Sequence, residues 1–198
     1  MSLSTILRAK GGVVQYVAFW EYDRPNGELS QWYPSPFTFT ISDVDSTLLK
    51  SIGDILKKRN IVINFGLISG KLFPTAEHFM MAGKAILFDT SGLNTIIAAT
   101  NPKAVKNAGR KVKNFNQSIW DSVNIIWVAI GNYLKFTQHV HLKTFLKNTG
   151  DRILIEASPF DTIWGVGLPP NSELLRTPSS WKGENRLGDA LMIVRSLI

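Results

Sequence analysis

Glu77, His78 and Lys84 occupy one stretch, EHFMMAGK at 77–84, whose other residues are apolar or small. Seven positions on an α-helix are two turns less about 20°, so a helix here points Glu77 and Lys84 the same way. Thr75 is a candidate N-cap, which sets Glu77 in the first turn, where the positive helix end favours an ionised carboxylate. Lys84 then stands two turns on, beside Met80, Met81 and Phe88. An ammonium held against apolar surface loses hydration, its pKa falls, and a neutral nucleophilic amine becomes accessible near neutral pH. A carboxylate on the same face exchanges protons with a substrate or its leaving group. The competing reading of this pattern is a partly buried ion pair with a snorkelling lysine.

Residues 103–113, KAVKNAGRKVK, carry five positive charges and no negative one. Lys103, Lys106, Arg110 and Lys113 follow helical spacing and form either a phosphate-holding stripe or a solvated face. Arg110 follows Gly109, where backbone can approach a ligand closely. Farther on, SPFDTIWGVGL and WKGENRLGDALMIVR gather Asp161, Trp164, Trp181 and Asn185 among glycines. Such aromatic planes wall a base or sugar site, or simply belong to a core; Asp161 or Glu156 is placed to orient a ribose hydroxyl or water. The histidines are 78, 139 and 141, with no acidic or histidine cluster around them, so no metal site is expected. Neither a phosphate-binding Gly-rich loop with its lysine nor a dinucleotide fingerprint is present, and no cofactor is expected.

These groups need elements to hold them. VVQYVAFWEY at 13–22 reads as a strand, followed by a turn at Pro25-Asn26-Gly27, a loop, and a short strand at 37–41. Helical periodicity covers 46–61, ending in Lys57-Lys58-Arg59, and IVINFGLI then reads as a short strand. The helix carrying Glu77 and Lys84 follows. Two short helices break at Asn101-Pro102, the longest pattern runs over 118–137, and another helix stops at Asn148-Thr149-Gly150. RILIEAS is a strand, FDTIWGVGLPP a loop, and RLGDALMIVRSLI a closing helix. The expectation is a single, mainly helical α+β domain.

The chain has 198 residues, 44% hydrophobic, enough for a well-filled core. Without cysteine, disulfides, thiolate nucleophiles and Cys-ligated zinc are excluded. The formal charge of +7 favours anionic partners. No secretory signal or membrane span is read, so a cytoplasmic protein is expected.

In order along the chain, ELSQWYPSPF, TAEHFMMAGKAILF, NAGRKVKNF with IWDSV, ILIEASPFDTIWGVGL and WKGENRLGDALMIVRSLI resemble the YbiA-like, or NADAR (NAD- and ADP-ribose-associated), superfamily. The resemblance implies a mainly helical α+β fold and cleavage of N-glycosidic bonds to ribose. It implies as substrate a ribosylaminopyrimidine phosphate of riboflavin synthesis, or guanine in nucleic acid carrying ADP-ribose. Glu77, Lys84 and Asp161 fall on catalytic positions, and Trp32, His78, Arg110, Trp120, Trp164 and Asn185 on substrate-contacting ones. Two departures stand out. Ser30-Gln31-Trp32 replaces Ser-Asn-Phe, and Met80 replaces the second aromatic of Glu-His-Tyr-Tyr. Residues 42–71 resemble an insertion that either clamps a larger anionic substrate or packs on the surface. A non-catalytic module for NAD-derived or ADP-ribose ligands, and a basic nucleic-acid-associated protein with a decayed site, are the competing classes.

Overall fold

A computed structural model of the protein describes residues 2–198. The mainly helical α+β expectation is borne out. Packing resolves into two units, one running to Tyr33 and resuming at Val140–Ile198, the other Pro34–His139.

In the first unit, β1 (Tyr16–Phe19) pairs in parallel with β4 (Ile153–Glu156), Tyr16 opposite Ile153 and Phe19 opposite Glu156. Helix α1 (Leu3–Lys10), which the sequence reading did not foresee, starts where the Ser2 hydroxyl accepts the Thr5 amide. Helix α7 (Val140–Asn148) precedes β4, and α8 (Arg186–Leu197) packs on it. Ile155, Ala157, Val166, Leu168, Leu175 and Trp181 form the apolar cluster beside these strands. The loop after β4 is irregular but tightly bonded, as a backbone without ladder partners must be. Thr162, Ile163 and Trp164 carbonyls accept the amides of Glu184, Arg186 and Leu187.

The second unit holds β2 (Phe37–Thr38) antiparallel to β3 (Leu72–Phe73), with α2 (Ser46–Arg59), α3 (Ala76–Phe88), α4 (Leu93–Ile97), α5 (Pro102–Arg110) and α6 (Gln117–Gln138). IVINFGLI is not a strand. Its apolar alternation is real, but no neighbouring strand takes its backbone, and Asn64 Oδ1 accepts the Gly66 amide to start a 3₁₀ turn at Phe65–Leu67. Helix α2, within the 42–71 segment, buries Leu48, Ile52 and Leu56 and packs along α6, leaving Lys57, Lys58 and Arg59 exposed.

Helix α3 passes through the centre of this unit, buried on nearly all sides. Phe79 stacks on Trp127 of α6 at 4.8 Å and 9°, with Phe73 edge-on at 5.1 Å. Trp127 Nε1–H donates to Phe79 O across 2.9 Å. Glycine makes this approach feasible: a Cβ on Gly83 would lie 2.2 Å from Trp127 Nε1. On the other flank, a Cβ on Gly109 would meet Met81 Sδ at 2.1 Å, so α5 also lies close against α3.

Candidate functional site

Glu77, His78, Lys84, Arg110 and Trp120 lie in the second unit, on α3, α5 and α6. Glu77 sits in the first turn of α3 with 6% of its surface exposed. Thr75 occupies the N-cap position, yet its side chain caps no amide. The imidazole of His78 takes that hydroxyl instead. His78 Nε2–H donates to Ala99 O at 2.8 Å, and the Thr75 hydroxyl donates to Nδ1 at 2.8 Å. Burial holds the imidazole below its usual pKa, against the Ala99 hydrogen bond that raises it. With both ring nitrogens hydrogen-bonded, His78 ties α3 to the segment after α4.

Lys84 is half-buried two turns along the same helix, and its amine stands 5.2 Å from the ring centroids of Phe115 and Trp120. Burial lowers its pKa most strongly. The Glu77 charge opposes this, while Arg110 and Lys106 push in the same direction as burial. Glu77, Lys106 and Arg110 therefore all act on the charge of Lys84. Trp120 is 3% exposed, so its ring confines Lys84 and presents no broad open face for a substrate. The Gly109 approach is to Met81, and the expected basic stripe is shorter than read. Lys103, Lys106 and Arg110 are exposed on α5, but the helix ends at Arg110, and Lys113 lies beyond it near Asp89. This unit holds twelve Lys and Arg against six Asp and Glu, so it carries six of the chain's seven net positive charges.

Trp32, Asp161, Trp164 and Asn185 lie in the first unit. Asp161 Oδ1 accepts the Ile163 and Trp164 amides at 2.9 and 2.8 Å, folding its own loop and holding half-buried Trp164 in place. Trp32 is half-buried after the buried Ser30-Gln31 pair. Asn185 is fully buried at φ 63°, donating to Leu154 O and Ser4 Oγ and accepting from Glu156 N, so its amide serves the fold. Surface hollows of about 490 and 340 Å³ lie along Asn148–Ile153 and beside β1, and neither is lined by Trp32, Asp161 or Trp164. Phe115 is the site residue that the sequence reading missed; its one signal is an aromatic side chain in an otherwise polar run, KNFNQS.

Among the described residues, no three His, Asp or Glu side chains gather as a metal site would require. No helix among the described residues is long and apolar enough to cross a membrane.

The NADAR domain matches residues 18–198. The chain belongs to the NADAR family. As a NADAR protein it is 40% identical over 124 residues to N-glycosidase R617 of Acanthamoeba polyphaga mimivirus, covering 62% of this chain and 73% of that one. It is 30% identical over 128 residues to N-glycosidase YbiA of Escherichia coli, covering 65% and 72%. The solution structure of E. coli YbiA matches with a TM-score of 0.64 at 23% identity, over 94% of this chain and 86% of that one, a likeness of fold. A further relative is the riboflavin biosynthesis protein PYRR of Zea mays, 31% identical over 134 residues, or 64% of this chain and 20% of that one. The mimivirus and bacterial relatives are named N-glycosidases, which are hydrolases of N-glycosyl compounds.

Proposed function

We propose that this protein hydrolyses the bond between the anomeric carbon of a phosphorylated ribose or ADP-ribose and an amino nitrogen of a base. The observation that carries this is a lysine made less basic by burial, electrostatically coupled to a buried carboxylate on the same helix. The anomeric carbon of such a substrate has carbonyl oxidation level. Ring opening, with a proton delivered to the ring oxygen, presents it as an iminium. Neutral Lys84 Nζ adds to that carbon, and its proton passes through Glu77 to the base nitrogen. The base leaves as a neutral amine with the bonding pair, leaving a lysine Schiff base. Glu77 then takes a proton from water, water adds to the iminium carbon, and the amine of Lys84 departs. The sugar is released as the aldehyde, which closes again. Water is consumed, and the enzyme is returned unchanged. Arg110 and Lys106 hold the phosphate.

Two substrates satisfy this chemistry, a ribosylaminopyrimidine phosphate and guanine carrying ADP-ribose. The name of the maize relative favours the first, and the basic excess of the second unit accommodates either. The test offers both to the wild type, with free ribose phosphate and free ADP-ribose followed by mass spectrometry. Glu77→Gln should lower turnover by ~100- to 10,000-fold with ligand affinity kept. Borohydride should trap a sugar adduct that disappears in Lys84→Ala. Activity kept in Lys84→Ala, without an adduct, would replace the Schiff base by direct water attack aided by Glu77. No release from either substrate would make the protein a ligand-binding module.

A further inference from the structure

The amine of Lys84 lies over two aromatic rings, and only one belongs to the packed interior. Trp120 is buried on α6, whereas Phe115 is 40% exposed in the turn before that helix. Phe88 of α3 holds Phe115 in place through an edge contact, centroids 5.2 Å apart at 67°. Each ring of the pair stands 5.2 Å from Nζ. An aromatic face attracts an ammonium through its quadrupole and offers a neutral amine no comparable hold. The rest of the lysine side chain is a flexible four-carbon stem.

We propose that Phe115 is a positioning residue for Lys84, forming with Trp120 a charge-selective clamp that parks the protonated side chain and frees the neutral amine for the anomeric carbon. This rests on Lys84 being the reacting amine. The step moves one proton from Nζ to the Glu77 carboxylate and breaks no bond between heavy atoms. Glu77 is left carrying the proton that ring opening delivers to the ring oxygen, and that delivery returns Glu77 to the carboxylate before the amine adds.

The charged groups acting on the amine are Glu77 on its own helix and Lys106 and Arg110 on α5; Asp121, next to Trp120 on α6, is not among them. Helix α4, the 90–92 turn and β3 bring no ionisable side chain. Against this background the clamp favours the ammonium. Removing one ring therefore moves the titration of Lys84 to lower pH, by about half a unit for one cation–π contact.

The test is an NMR titration of the Lys84 Hε and Cε signals, assigned with Lys84→Arg, in the wild type, Phe115→Leu and Phe115→Tyr. In the wild type, Hε should be shifted upfield by the two rings below the midpoint and lose that shift above it. Phe115→Leu should titrate about half a pH unit lower, and Phe115→Tyr should restore the wild-type midpoint. On substrate, the acid limb of kcat/KM should move by the same amount. A ring-current shift that persists above the midpoint, or a Leu variant that titrates with the wild type, would overturn the clamp. Absence of N-glycosidase activity would remove the nucleophilic role of Lys84, while the titration would still decide whether the rings hold it.

Discussion

Gly83→Ala tests how closely α3 must approach α6 for the site to exist. The new methyl carbon would lie 2.2 Å from Trp127 Nε1, 2.4 Å from Cε2 and 2.7 Å from Cδ1. An unstrained carbon contact needs ~3.5 Å, so ~1 Å of opening is required. Trp127 has no room to retreat, being wholly buried, stacked on Phe79 and hydrogen-bonded to its carbonyl. Displacing the indole leaves that carbonyl and the Nε1–H without each other, at about 1–3 kcal/mol, and forced repacking adds about 1–3 kcal/mol. Alanine returns about 1 kcal/mol through helix propensity. The net expectation is a loss of about 1–5 kcal/mol.

Gly53 is the control. It lies inside α2 with nothing within 4 Å of an added Cβ, so Gly53→Ala should be neutral or stabilising by up to ~1 kcal/mol. Urea unfolding followed by tryptophan emission measures both. Because Trp120 rides on α6 and Lys84 on α3, the same opening separates the amine from its ring, and turnover should fall by ~100-fold. Equal stability in the two variants, with unchanged emission and activity in Gly83→Ala, would refute the packing argument.

Lys84 has a folded pKa below its unfolded value, so stability lost to the buried charge is regained as pH rises from the folded pKa toward 10.5. That rising segment should vanish from urea midpoints measured across pH in Lys84→Met. Asp189 behaves in the opposite sense: burial raises its pKa, against the Ser4 hydrogen bonds, so stability falls as pH climbs from 3.8 through the folded value. Asp189→Asn should flatten this fall, since Asn can still accept the Ser4 amide and hydroxyl at Oδ1, and thermal melts between pH 3 and 7 would check it. Arg110→Gln should raise KM for a phosphorylated substrate by ~10-fold and move the acid limb of the rate profile to higher pH, because Arg110 lowers the Lys84 pKa. Asn185→Ala should destabilise by about 3–5 kcal/mol, from three lost hydrogen bonds and a left-handed backbone, with KM unchanged in protein that remains folded.

The helices were legible because their signals are local. Apolar spacing places α2, α3, α6 and α8 within a few residues of where they form, and Asn101-Pro102 marks the start of α5. IVINFGLI failed for the complementary reason: alternation describes which faces are apolar, but a strand also needs a neighbour for its backbone. Helix α1 was overlooked although Ser2 and Thr5 mark its cap, because eight residues give a periodic signal little length. In the site, helical geometry alone brought Glu77 and Lys84 to one face. It gave no sign that Thr75 would turn to His78, or that Trp120 would close over a lysine.

What the sequence by itself determined is the list of chemical parts and their order: a carboxylate and an amine two turns apart, a basic helix beginning at Asn101-Pro102, and no thiol. Period and capping follow from covalent geometry, which neighbouring residues carry with them. Only the tertiary structure decided what each part became. Whether an amine stands free in water or is buried over two rings depends on residues 31 and 36 positions away, Phe115 and Trp120. Burial, charge coupling and ring contact act through space, and chain separation says nothing of them until α3, α5 and α6 have packed.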